Sequence, residues 1–534
     1  MNGVPSNRAL LGPIVGHTDH QGSIIWVRVK SNPHDFALRL HGRSTLIPFV
    51  STEAGPVEFG TAVATVGGLR PEHTYTYQVM HRGRAVAGAR GSFRTMPPPG
   101  SAASLSFITL SCSDAKKLGA WQLLQEYIET FEPHFVLMIG DQIYMDGEAE
   151  TSVWDHHLDS PPQVRRRAMV EMYQEHWDRE PVKTILANTP TYMVWDDHDI
   201  RDGWGSWAGE SPTLQAKYPR GAPITEQYSR YFDDARDIYW HFQMTHNPPP
   251  LFGPSTPPVT GERRAMPFAF RCGRLAVLLV DSRGERDVFR PDYPILGDRQ
   301  WRASLSWLRN LPPSVDALAC VTPVPIVAMD PGGLTQSLFQ HRTDDEVLYR
   351  EGRAQDLLVL QKENGSFLDI PFNLAGRALQ ANIGAYRARS IDDLRDQWSQ
   401  RFSQPEQEAI LRTIAQARFA NRLPGRPRAA FFLGGDLHIG GRFEIRYDEP
   451  EWVTECMIAS GISREENITA AQGIVVNESF EVAPGINAEL KQYLRVVNFG
   501  VTQVQFFGER ALVEHRVLHP GAEVHARVLA TSVF

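Results

Sequence analysis

The chain has 534 residues, 42% apolar and 22% charged, enough for more than one domain and ordinary for a soluble globular protein. A formal net charge of -8 excludes a general nucleic-acid or anionic-membrane binder, since no excess of Lys and Arg is available to neutralise phosphates. The densest basic run, Arg165-Arg166-Arg167, reads as a solvated helix face. The four cysteines, Cys112, Cys272, Cys320 and Cys456, are widely separated with no CxxC, which suits a reducing compartment. Met1 to Leu11 holds no signal-peptide core and no twin-arginine pair, and no segment has the roughly 18 uninterrupted apolar residues of a membrane span. As written, the chain reads as cytoplasmic, and as periplasmic or secreted if a leader has been removed.

The first hundred residues are β-rich. Ser23–Val29, Phe36–Leu40 and Thr74–Val79 are short strand-forming runs separated by turn residues, at intervals typical of a β-sandwich. Gly68-Leu69-Arg70-Pro71-Glu72-His73-Thr74-Tyr75 resembles the corner of fibronectin type III and related immunoglobulin-like modules, and 91–95 its last strand. Pro97-Pro98-Pro99-Gly100-Ser101 can join neither a ladder nor a helix and reads as a linker. Residues 1–97 are therefore expected to form an immunoglobulin/fibronectin III-like β-sandwich.

Beyond the linker, apolar strands alternate with amphipathic helices, as in an α/β layer fold. Leu105–Leu110 ends in Ser111-Cys112-Ser113-Asp114 and precedes a helix with Trp121, Leu124, Tyr127, Ile128 and Phe131 on one face. Further buried-strand candidates are 135–139, ending in Gly140-Asp141; 191–195, ending in Asp196-Asp197-His198-Asp199; 275–280, ending in Asp281-Ser282-Arg283; and 429–433, ending in Gly434-Gly435-Asp436-Leu437-His438. Ligand-type residues thus recur at the C-terminal ends of strands, where open α/β sheets place their sites. Residues 331–395 break this rhythm and read as an insertion within a domain spanning 98–534.

Several of these ends suit metal chemistry. After Gly140 the Asp141 carboxylate can project above the sheet and bridge two cations, or else cap the following helix. Tyr144, one turn on, is a phenol that a ferric ion could deprotonate and bind. The three carboxylates around His198 repel one another unless cations or hydrogen bonds compensate them; the alternative is an exposed acidic turn. His198 could then act on a leaving group or a phosphate oxygen. Asp436 and His438, at i and i+2 of extended backbone, would share a face and reach one metal cluster; the alternative is a Gly-rich hairpin. Cys112 is either a small buried hydrophobe or a thiolate suited to iron or zinc. His17 with His20, and His156 with His157, read as ordinary loop histidines. No P-loop, GxSxG, HExxH or GxGxxG motif is present.

In this order the motifs resemble the alkaline phosphatase D, or PhoD-like, family of calcineurin-like metallophosphoesterases. The resemblance spans the N-terminal module, Ser111-Cys112-Ser113, Gly140-Asp141-Gln142-Ile143-Tyr144, Trp195-Asp196-Asp197-His198-Asp199, Asp281-Ser282-Arg283 and Gly435-Asp436-Leu437-His438. It implies a four-layer α/β/β/α domain with a ferric ion on Cys112, Asp141, Tyr144 and His438. Asp141 would bridge to calcium, with Asp197 and Asp436 as further ligands; zinc, manganese or magnesium are substitutes. His198 would be the catalytic histidine, oriented by Asp199, and Arg283 would touch substrate phosphate or form a salt bridge within the fold.

The expected activity is hydrolysis of a phosphate ester, monoester or diester, by a metal-activated hydroxide. The rival is a non-catalytic binding protein with a decayed metal domain. Two features depart from the family: no twin-arginine signal is present, and Asp202-Gly203-Trp204-Gly205 stands where some relatives carry asparagines. The segment 331–395 is expected either to cover the site or to be a packing appendage.

Overall fold

The structure is a computed structural model of the chain. It describes all residues except 1–9, 54–57, 329–395, 465–478 and 530–534, with short breaks at 115–116, 148–149, 207, 218–221, 289, 400–402, 424, 495 and 520–521. The supposed insertion at 331–395 therefore lies outside the described residues.

The N-terminal strands are β1 (Leu10–Thr18), β2 (Ser23–Val29), β3 (Phe36–Leu40), β4 (Leu46–Pro48), β5 (Val50–Ser51), β6 (Thr61–Val66), β7 (Thr74–His81) and β8 (Arg84–Arg94). They form two four-stranded antiparallel sheets, ordered β1-β2-β6-β5 and β4-β3-β7-β8. Period-2 alternation buries Val15, Ile25, Val27, Leu38, Val79 and Phe93 between them. Tyr75 Oη accepts from Arg70 N at 2.9 Å and pins the turn into β7, as the Gly68–Tyr75 pattern suggests.

The larger region continues with β9 (Leu105–Leu110), α1 (Gly119–Phe131), β10 (Phe135–Ile139), α2 (Val153–His157), α3 (Pro162–Trp177), α4 (Val182–Asn188) and β11 (Thr191–Val194). Then come α5 (Pro212–Lys217), α6 (Ala222–Phe242), β12 (Phe268–Cys272), β13 (Leu275–Leu279), α7 (Asp298–Arg309), β14 (Ala317–Thr322), α8 (Gln404–Ala417) and β15 (Ala429–Gly434). The chain finishes with β16 (Gly440–Tyr447), β17 (Trp452–Ile458), β18 (Ser479–Ala483), β19 (Ile486–Leu494), β20 (Phe499–Phe507), β21 (Arg510–His519) and β22 (Ala522–Leu529).

Two mixed sheets result, β11-β10-β9-β20-β21-β22 and β12-β13-β14-β15-β17-β16-β19-β18. Alternate residues of β13, β14 and β15 face opposite ways. Val277, Ala319 and Phe431 join the first sheet and the helices α1, α3, α4 and α6 in one core. Leu278, Leu318 and Phe432 join α7 and α8 in another. The order of layers is therefore helix, sheet, sheet, helix. Cys272, Cys320 and Cys456 are free, buried core residues. No helix among the described residues is long and apolar enough to cross a membrane.

The sandwich is packed firmly onto this region. Leu11, Ile14 and Trp26 belong to the larger core, and Trp26 Nε1 donates to His241 O at 2.9 Å. The basic run does not form a solvated face: Arg165 is 2% exposed and ion-paired to Asp234, and Arg166 reaches Asp234, Asp237 and Glu58. Only Arg167 lies on the surface, paired to Glu171. Carboxylates of α6 and of the sandwich, remote in sequence, supply these partners.

Candidate metal centre

The parallel strands β9, β10 and β11 end side by side, and β15 ends opposite them. At these ends the backbone turns sharply. Cys112, Asp141, Asp436 and His438 have φ of 56°, 52°, 65° and 53°, a left-handed conformation that costs L-residues about 1–2 kcal/mol each. Such strain clusters at functional sites. Asp436 and His438 therefore project from a left-handed turn, and the expected extended backbone is not found. Two glycines permit the approach of the loops. A Cβ on Gly140 (φ 108°) would lie 2.6 Å from Asp196 Cβ, and one on Gly435 would lie 2.7 Å from Ser111 Oγ.

The turns bring ligand atoms together in three overlapping groups: Cys112, Asp141 and His438; Asp141, Asp197 and His198; and Asp196, Asp197 and Asp436. Within each group the ligand atoms lie within 4.8 Å of one another. Tyr144 completes the first group, its Oη 2.9 Å from His438 Nε2 and 3.3 Å from Asp141 Oδ2. Ser111 Oγ and Ser460 Oγ lie 3.1 and 3.3 Å from the Cys112 sulfur, and His438 N donates to Ser460 Oγ at 2.8 Å.

The electrostatics suit cations. Burial pushes the Asp141 and Asp436 carboxyls well above the usual range, and the neighbouring aspartates push them further. Burial also raises Asp196 to about 8, against the pull of Arg283. The Cys112 thiol moves the other way, to about 6: burial opposes ionisation, but the neighbouring His438 outweighs it. Asp196 Oδ2 is buried without a hydrogen-bond partner, and Asp197 Oδ1 has only the Arg283 guanidinium beside it, at 3.5 Å. One guanidinium cannot compensate Asp141, Asp196, Asp197 and Asp436 together, and an orphaned carboxylate oxygen among like charges is costly unless a further cation supplies the missing interaction, so these residues fit metal ions.

His198 Nδ1 lies 2.7 Å from Asp146 Oδ1, and its Nε2 lies 3.8 Å from Asp202 Oδ1. Burial would lower its pKa, but Asp146, Asp197 and Asp202 raise it to about 10. Asp199, expected to orient His198, points elsewhere. Its carboxylate accepts from the backbone N–H groups of Gln142 and Asp196 and from Tyr173 Oη and Gln243 Nε2. It holds the loop, and Asp146 holds the imidazole.

Arg283 takes the salt-bridge alternative. It is fully buried, and its guanidinium donates to Asp196, to Asp396 Oδ2 at 2.7 Å and to Trp204 O at 3.1 Å, with no exposed edge for a substrate. Sequence reasoning gave no role to Asp146, Asp196, Asp396, Gln397 or Ser460. Asp196 stands inside a quoted motif, next to Asp197, which was a usable signal; Asp146 lies two residues beyond Tyr144 and 52 from His198, and only its place just past a ligand motif could have drawn notice. Gln397 Nε2 donates to Asp436 Oδ2 at 3.1 Å, and nothing local in Asp396-Gln397-Trp398-Ser399 announces that contact.

A family model described as PhoD-like phosphatase matches residues 107–514. No curated protein sequence matches. A solved structure of PhoD superposes with a TM-score of 0.61 at 13% identity, over 99% of this chain and 92% of that one, which shows a shared fold. A purple acid phosphatase, PPD1 from yellow lupin (Lupinus luteus) seeds, aligns at 12% identity over 95% of this chain and 72% of that one. The TM-score of that superposition is 0.47.

Proposed function

The chain belongs to the PhoD-like phosphatase family and is a metal-dependent phosphoesterase, and we propose the following roles for its site residues. Cys112, Asp141, Tyr144 and His438 would hold a ferric ion, because a thiolate, an imidazole and a phenolate together suit iron. Asp197, Asp436 and, from its orphaned oxygen, Asp196 would hold calcium with oxygen donors alone, Asp141 being shared between the two places. Zinc, manganese or magnesium are the natural substitutes. Such ions supply Lewis-acid polarisation of the phosphoryl group and a nucleophile at neutral pH.

The protein's own contribution is orientation and proton handling. Asp146 on Nδ1 fixes the His198 ring and favours its charged form, leaving Nε2 to protonate the departing oxygen or hold a phosphoryl oxygen. Asp199 and Arg283 act through the backbone and through Asp196, as positioning residues. The observation that carries this reading is the convergence of the three ligand groups on Asp141 and Asp197, with Asp196 Oδ2 left unsatisfied beside them.

Elemental analysis of gently purified protein, with its visible spectrum, tests the assignment. Iron with a thiolate- or phenolate-to-iron band, plus calcium, is the expected outcome, and Cys112→Ser should shift or abolish the band. Two equivalents of zinc or manganese without a band would keep the phosphoesterase and remove the ferric site. Absence of turnover on aryl phosphate esters by fully metal-loaded protein would favour the binding-protein rival. Comparing an aryl monoester with its bis-aryl diester decides the substrate order.

A further inference from the structure

Between the sandwich and α4 lies a cleft of about 760 Å³ that the metal centre does not use. Its chemistry is set by strand register. Arg39 on β3 pairs with Gln78 on β7, which pairs with Arg90 on β8, so the three side chains stand in one row on one face. Thr76 and Ser92 form the next row on that face, and His41 follows Arg39 by two residues. Opposite them α4 contributes Lys183, Thr184 and Asn188.

Arg39 and Arg90 are exposed and have neither an ion pair nor a side-chain hydrogen bond to any described residue. Gln78 stands between them in the row, so neither guanidinium finds a partner on the neighbouring strand. Glu180 is the single carboxylate lining the cleft, and its Oε2 already accepts from Thr184 Oγ1 at 2.5 Å. In a chain of net charge -8, a cleft with two unpaired guanidiniums is a local reversal of sign. Its volume is that of a ligand site, and junctions between packed units are where such sites occur. Neighbouring strands lie about 4.8 Å apart, so two steps separate the Arg39 and Arg90 backbones by roughly 10 Å, which suits two anionic groups better than one.

We propose that this cleft is a second binding site, for an oligophosphate whose two end phosphate groups pair with Arg39 and Arg90, the long side chains closing the remaining gap. The binding does not depend on the metal assignment; only the choice of phosphate over other anions rests on the phosphoesterase reading.

The test titrates sodium tripolyphosphate into metal-loaded protein by calorimetry, in a His198→Ala background to suppress turnover. Adding Arg39→Gln and Arg90→Gln together should weaken binding at the cleft at least tenfold, while Lys at both positions keeps most of it. The same Gln pair in otherwise unaltered protein should leave kcat and KM for a small aryl phosphate unchanged. Tripolyphosphate binding that the Gln pair does not alter would overturn the proposal. So would a parallel loss of aryl phosphate turnover, which would mark the two arginines as structural, or equal affinity for orthophosphate, which would remove the chain of phosphates. If unaltered protein shows no esterase activity yet loses tripolyphosphate binding with the pair, the cleft stands and the catalytic reading falls.

Discussion

At the residue scale, the site depends on how each ionisable group is held. Asp146 Oδ1, 2.7 Å from His198 Nδ1, orients the ring and favours its charged form. Asp146→Asn should therefore lower kcat by roughly 10–100-fold with metal content unchanged, the usual cost of losing an orienting partner. His198→Ala should lower it by about 10²–10⁴-fold, again without loss of metal. Loss of metals in the His198 variant, seen by elemental analysis, would make His198 a ligand instead. Asp199→Asn gives a contrasting outcome: its four donors belong to the loop and core, so protein stability should fall more than the pH profile of kcat shifts.

At the scale of elements, the centre is built where strand ends meet a segment that follows the undescribed 329–395. Asp396 neutralises Arg283 and Arg286, and Trp398 Nε1 anchors the same segment to Val324 O at 3.0 Å. Breaking a buried pair leaves an uncompensated charge at a cost of about 3–5 kcal/mol. Asp396→Leu should thus lower the urea midpoint clearly, and adding Arg283→Met should recover part of the loss. If both variants unfold alike, the pair contributes nothing specific. Because Arg283 also reaches Asp196, the single variant should weaken divalent-metal retention as well.

At the scale of the molecule, histidines buried in the larger core and at its junction with the sandwich set an acid limit. Burial holds His134, His176 and His241 down at about 4 and His246 at about 3. Each ordinarily titrates near 6.5, so in acid the unfolded chain binds more protons than the native one. Stability is then fully present above about pH 6.5 and falls as pH drops towards the folded values. His246, beside Trp26 at 6.1 Å, sits at the junction itself. His246→Phe should flatten the decline between pH 6 and 4 in urea titrations; an unchanged slope would show that His246 gains protons without unfolding. Comparing the two proteins cancels the loss of metals that acid brings to both.

Local pattern was enough to place strands of the sandwich and strands that deliver the site. Ser23–Val29, Phe36–Leu40, Leu105–Leu110 and Phe135–Ile139 are found with those bounds, because continuous or alternating burial writes itself directly into residue order. The turns at Gly140 and Gly435 were legible for a similar reason, since a close approach admits only glycine. Tertiary structure alone decided which charges meet. Asp146 and His198 are 52 residues apart, Arg283 and Asp396 113, and Arg166 and Glu58 108. No short-range pattern distinguishes the carboxylate that reaches an imidazole from the one that holds a loop. Side-chain pairing depends on where separate elements come to rest, whereas strand and turn formation depends on neighbours along the chain.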